Sequence, residues 1–139
     1  MFEMTEKILR IEEIREKDGW CSQSGYAVIT DKQTIKLKID DVQCCCENAG
    51  YFMSNDKLDD FIGAELLGIS LTDKALKEVD FEKQGCSSPD NEWFQGGIMF
   101  VDIKTSKGVL QFVAYNEHNG YYGHEAYVVS TQLKHSESL

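Results

Sequence analysis

The stretch from Gly108 to Ser130, GVLQFVAYNEHNGYYGHEAYVVS, constrains the fold of this chain more than any other. Two runs rich in β-branched and aromatic residues, Val109 to Tyr115 and Glu125 to Ser130, flank a polar connection that contains glycine. That pattern predicts two strands joined as a β-hairpin. The connection holds more chemistry than a turn requires, with Asn116, Glu117, His118, Asn119, Tyr121, Tyr122, His124 and Glu125 in close succession. Tyrosine faces, amides and imidazoles together make this loop a candidate ligand pocket. A plain Asn-Gly turn with cross-strand tyrosine packing would leave the same letters.

Period-two alternation recurs upstream. Ile98 to Lys104 reads as a strand delivered into the Gly108 run by the turn Thr105-Ser106-Lys107-Gly108. Tyr26 to Thr30 and Thr34 to Ile39 read as two strands around Asp31-Lys32-Gln33, with Ile35, Leu37 and Ile39 on one face and Lys36 and Lys38 on the other. The segment VQCCCENAGYFMS predicts a strand that sets Cys44 and Cys46 on one face and Cys45 on the opposite one. Leu66 to Leu71 continues the theme, with Leu67, Ile69 and Leu71 alternating against Leu66, Gly68 and Ser70.

Other segments point to helix or loop. Ser54, Asn55 and Asp56 are N-cap candidates for a short helix through Leu58, Phe61 and Ile62, closed by Gly63. Met4, Ile8, Ile11 and Ile14 fall at helical spacing, although Ile8 to Ile11 also reads as a short strand. Thr72 to Gly97, with the only proline, Pro89, predicts a long loop with a helical turn near Lys74 to Val79. The polar tail from Gln132 is expected to fray. Together these elements predict a single α+β domain over residues 1–139, a mainly antiparallel sheet of about six or seven strands with one or two short helices packed on one face.

Composition narrows the function. With 24 acidic against 14 basic residues the net charge is −10, which argues against direct nucleic-acid binding. No apolar run is long enough to span a bilayer, and a cytoplasmic location is expected. Five cysteines, three of them consecutive, suit reduced thiols in a reducing compartment.

Three constellations remain. Cys44, Cys46, His118 and His124 supply zinc-type ligands, but the spacing matches no common framework, and buried thiols explain the cysteines as well. The same thiols with His118 or His124, and Glu47 or Asn116 as orienter, would suit nucleophilic chemistry, yet no catalytic motif accompanies them. Asp56, Asp59 and Asp60 on the short helix, with Glu78, Asp80 and Glu82 in the long loop, form an acidic set able to imitate a nucleic-acid backbone before a basic groove. A solvated surface has the same composition.

The CCEN tract, the DDFIGAELL passage, the FVDIKTSKGVLQFVAYN run and the HNGYYGHE loop resemble an uncharacterised family of small phage and Firmicute proteins of unknown function. The resemblance spans roughly Gly25 to Ser130. It implies a fold dominated by antiparallel sheet, favours strand for the first segment, and implies a phage or mobile-element setting. Cys44 is extra beside the pair expected from that likeness. The reading that follows is a non-enzymatic binding protein requiring no cofactor, an anti-defence inhibitor, such as an anti-CRISPR protein, acting on a host immune effector. Its expected contact residues are Asn116, His118, Asn119, Tyr121, Tyr122, His124, Asp59, Asp60 and Glu82. A sponge for a nucleotide immune signal around Asn116 to His124, and a metal- or thiol-dependent enzyme, are the alternatives, and a homodimer is also allowed.

Overall fold

The structure, a computed structural model, describes residues 6–18, 21–40, 47–54, 57–72, 96–118, 125–131 and 133–139. Its strands are β1 (Ile8–Asp18), β2 (Cys21–Thr30), β3 (Thr34–Asp40), β4 (Glu47–Met53), β5 (Leu66–Thr72), β6 (Gly96–Thr105), β7 (Gly108–His118), β8 (Glu125–Val129) and β9 (Lys134–Ser138). They form a five-stranded sheet in the order β1-β2-β3-β8-β9 and a four-stranded sheet in the order β4-β7-β6-β5. Every strand pairing is antiparallel.

One apolar cluster joins the two sheets. Val28, Ile35, Leu37, Ile39, Ala126 and Val128 come from the first, and Met53, Met99, Val101, Ile103, Leu110, Phe112 and Ala114 from the second. Tyr26 of β2 meets Tyr51 of β4 edge-on at 5.6 Å between ring centres, and Phe112 of β7 at 6.3 Å, so aromatic contacts cross the interface. The alternation read in β3 survives, with Ile35, Leu37 and Ile39 buried and the lysines between them turned outward.

The α+β expectation is overturned. Among the described residues the only helical element is a 3-10 turn, Leu58–Phe61, and the rest of the regular structure is antiparallel strand. The turn is entered from Lys57 without a side-chain cap. Of the three cap candidates, Asn55 and Asp56 lie outside the described residues, and Ser54 instead extends the β4–β7 ladder: its amide donates to the Gln111 carbonyl and its hydroxyl accepts from the Gln111 amide, both at 2.9 Å. Gly63 follows with a φ of 84°. Phe61 and Ala64 are buried in the shared core, so this linker between the opposite edges β4 and β5 closes one end of it.

The predicted hairpin from Val109 to Ser130 is also corrected, because β7 and β8 lie in different sheets. The reason is in their faces. Phe112, Val113, Ala114 and Tyr115 are all at most 3% exposed, so β7 is apolar on both sides and sits between β4 and β6. Its outward residues Val113 and Tyr115 pack with Phe52 and Phe100. Strand β8 buries one face only, Ala126 and Val128, and pairs with β3, which has the same alternation.

Two bulges explain the misleading spacings. Register shifts between Ile8 and Arg10, so Ile8 and Ile11 both face the core although they are three apart, and β1 is a strand. A second shift between Leu66 and Gly68 turns Leu66 and Ile69 inward and leaves Leu67 65% exposed, against the predicted alternation. Both bulges flank the place where the sheet edges meet, at the bridge between Lys7 and Glu65. The tail does not fray: β9 pairs with β8, and Leu139 is buried in the core.

Candidate binding groove

The two sheets separate the residues expected to act together. Asn116 is fully buried near the end of β7, and its side-chain amide donates to the Leu139 main-chain oxygen at 3.1 Å, which makes it part of the frame. His118 closes β7 opposite Glu47, and its side chain lies outside the described part. Asn119, Tyr121, Tyr122, His124, Glu82, Cys44 and Cys46 lie outside the described residues. Asp59 and Asp60 are exposed on the 3-10 turn, at the opposite end of the sandwich from Asn116. No group of three or more His, Cys, Asp or Glu is placed to hold a metal among the described residues. Nor is any helix among them long and apolar enough to cross a membrane.

A different site emerges on the outer face of the five-stranded sheet. Strand pairing sets Arg10 beside Ile29 and Thr34, Glu12 beside Ala27 and Lys36, Ile14 beside Gly25 and Lys38, and Glu16 beside Gln23 and Asp40. Because side chains alternate along a strand, all of these rows turn away from the core. Arg10, Glu12, Ile14 and Glu16 then line an open groove of about 430 Å3 with Ala27, Ile29, Thr34 and Lys36, and Arg15 borders it although alternation sets that residue in the row of Ser24 and Ile39. Both arginines of the chain thus border it.

Glycine at position 25 lets β2 and β3 approach closely behind the groove. A Cβ there would stand 1.7 Å from the Leu37 carbonyl oxygen, so no other residue fits without moving a strand.

Ion pairs then span the sheet. Lys36 Nζ donates to Glu16 Oε2 at 3.2 Å, and Lys38 Nζ lies 3.3 Å from Glu16 Oε1, each reaching across β2. Lys38 also sits over the Tyr127 ring, 5.6 Å from its centre, and its side chain is only 15% exposed. The hydrogen bond from Lys36, with help from Lys38, holds the Glu16 carboxyl below its ordinary pKa although partial burial works the other way. Arg10 and Glu12 form a looser pair, Nε to Oε2 at 3.8 Å, with both side chains at least half exposed. The groove thus combines an apolar floor of Ile14, Ala27 and Ile29 with a rim of both charges.

Sequence reasoning missed this site. The period-two series Arg10, Glu12, Ile14, Glu16 was available as a signal, but the bulge-generated spacing of Ile8 and Ile11 obscured it.

No curated protein and no solved structure matches the chain. A family model matches residues 4 to 128 and so covers most of the strands described above. On that basis the chain belongs to the family described as a domain of unknown function, DUF7448.

Proposed function

We propose that this chain is a binding protein without catalytic activity, engaging a protein partner through the outer face of its five-stranded sheet. The observation that carries the reading is the groove itself: apolar floor, mixed-charge rim and open access along the edge strand β1. Those are the ingredients of a polar-rimmed protein contact, in which buried apolar atoms supply affinity and charges set orientation. The resemblance of its motifs to small phage and Firmicute proteins supports reading the partner as a host defence protein, a CRISPR effector being one example, and the role as that of an anti-defence inhibitor. A nucleotide ligand has less to recommend it, since Glu12 and Glu16 share the groove with both arginines and would repel phosphate.

Affinity capture from bacterial lysate tests this. The wild-type chain should retain a specific protein that the double variant R10E/R15E releases, while K104E, an exposed change on the other sheet, retains it. Equal retention by R10E/R15E, or loss confined to D59K/D60K, would move the contact to another surface.

A further inference from the structure

We infer that β1 accepts an extended segment of the partner protein as an added antiparallel strand, and that Arg10, Glu12, Ile14 and Glu16 read its sequence. The inference rests on the binding reading above and goes beyond it by stating the chemistry of the partner. At its start the edge of β1 away from β2 is bonded, since Ile8 donates its amide to the Ala64 carbonyl and accepts from the Gly63 amide beside the Lys7–Glu65 bridge, but from Arg10 onward no described strand pairs with that edge. Leu9 is 53% exposed, and the side chains of Arg10 and Glu12 are 67% and 50% exposed, so the side chains of this part of β1 stand in solvent. An open strand edge offers a row of main-chain donors and acceptors, and strand addition is one way proteins recognise extended segments.

Selectivity follows from the face that adjoins the groove. An added antiparallel strand brings its alternate side chains beside Glu16, Ile14, Glu12 and Arg10, in that order from its own N-terminus. Cross-strand pairs favour opposite charge and matched apolar character. The preferred segment therefore carries base, apolar, base and acid at every second position. Its apolar side chain falls beside Ile14, where the floor formed with Ala27 and Ile29 can receive it. The net charge of −10 attracts a segment with a basic excess at longer range.

A second copy of this chain fits poorly. In a symmetric antiparallel pairing that sets Arg10 against Glu16 of the second copy, Glu12 falls opposite Ile14 and the two Glu13 side chains face each other. The charges of β1 thus oppose self-pairing while selecting another sequence.

The test uses the full chain and a short synthetic peptide in which threonine alternates with lysine, leucine, lysine and glutamate, in that order. Hydrogen exchange should slow by roughly tenfold at β1 amides between Arg10 and Lys17 when the peptide saturates the protein. The exposed change R10E, with its fold checked by circular dichroism, should weaken peptide binding by about two- to fivefold. Replacing the glutamate of the peptide by lysine should restore affinity for R10E. Protection elsewhere, no protection, or equal affinity across these combinations would overturn strand addition. So would sedimentation showing a wild-type dimer that R10E dissociates, because the occupant would then be a second copy. A partner captured from lysate without protection of β1 overturns this inference and leaves the binding reading intact. Failure to capture any partner while the peptide still protects β1 counts against the broader reading alone.

Discussion

Asn116 donates its side-chain amide to the main-chain oxygen of Leu139 at 3.1 Å, tying the residue that follows β9 to an inner strand of the opposite sheet. A residue expected to touch a ligand and a tail expected to fray hold each other in the core. Asn116→Ala should cost about 1 to 3 kcal/mol, the penalty for disrupting a buried hydrogen bond. Leu139→Ala should cost about 2 to 3 kcal/mol through lost burial and the space left behind. Urea denaturation of both single variants and the double variant measures this, and the double should cost less than the sum. Unchanged stability in N116A would return that residue to a functional role.

Gly25 and Gly68 are both strand glycines, and they should respond oppositely to alanine. At Gly25 a methyl group meets the Leu37 carbonyl, whereas at Gly68 nothing lies within 4 Å of the added carbon. Gly25→Ala should destabilise by more than about 4 kcal/mol or prevent folding. Gly68→Ala should leave the melting temperature nearly unchanged or slightly raised. Comparable soluble yield and melting temperature for the two variants would show that β2 and β3 can separate to admit a side chain.

Three hairpin turns use one device. Thr30 Oγ1 accepts from the amides of Lys32 and Gln33, Thr105 Oγ1 from that of Lys107, and Ser130 Oγ from that of Leu133, at 2.8 to 3.1 Å. Thr105 and Ser130 return their protons to the carbonyls of Gly108 and Leu133. Thr30 directs its proton to the buried Glu6 carboxylate at 2.6 Å, where the Gln33 side chain also donates at 2.8 Å. Thr105→Ala and Ser130→Ala should each cost about 1 kcal/mol, and Thr30→Ala about 2 kcal/mol, since it also strips a partner from a buried carboxylate. Denaturation midpoints of the three variants check the order, which a uniform loss would contradict.

Glu16 links stability to acid. Its folded pKa lies below the ordinary 4.5 because Lys36 and Lys38 stabilise the carboxylate. The unfolded chain therefore takes up the proton first as pH falls. The stabilisation is fully present above the ordinary value and is lost as pH drops through the lowered one. The side chain is 42% exposed, so solvent screening limits the effect to about 1 kcal/mol at most. Glu16→Gln should lower stability at pH 7 and converge with the wild type in strong acid. A difference that persists undiminished at low pH would assign the effect to packing.

Much of the strand content was legible because alternation is a local property. Ile35, Leu37 and Ile39 against Lys36 and Lys38 disclose a one-faced strand wherever that strand is placed. The turn at Thr105 to Gly108 was legible for the same reason, since its hydrogen bonds close within the turn. The helical spacing of Ile8 and Ile11 misled because a bulge inserts one residue, and an inserted residue converts a period of two into an apparent three.

Strand partnership was decided only by the tertiary structure. Neighbours in sequence, β7 and β8 part into separate sheets because one is apolar on both faces and the other on one, and burial of those faces outweighs the short connection between them. The groove has the same origin. Arg10, Glu12, Ile14 and Glu16 announce only an alternating strand, whereas Lys36 and Lys38 reach Glu16 through the register of β1, β2 and β3. The sequence by itself determined which residues alternate and where the chain turns. Which faces meet, and therefore which charges share a surface, was decided by long-range pairing, because the free energy that selects it comes from burying surfaces distant along the chain.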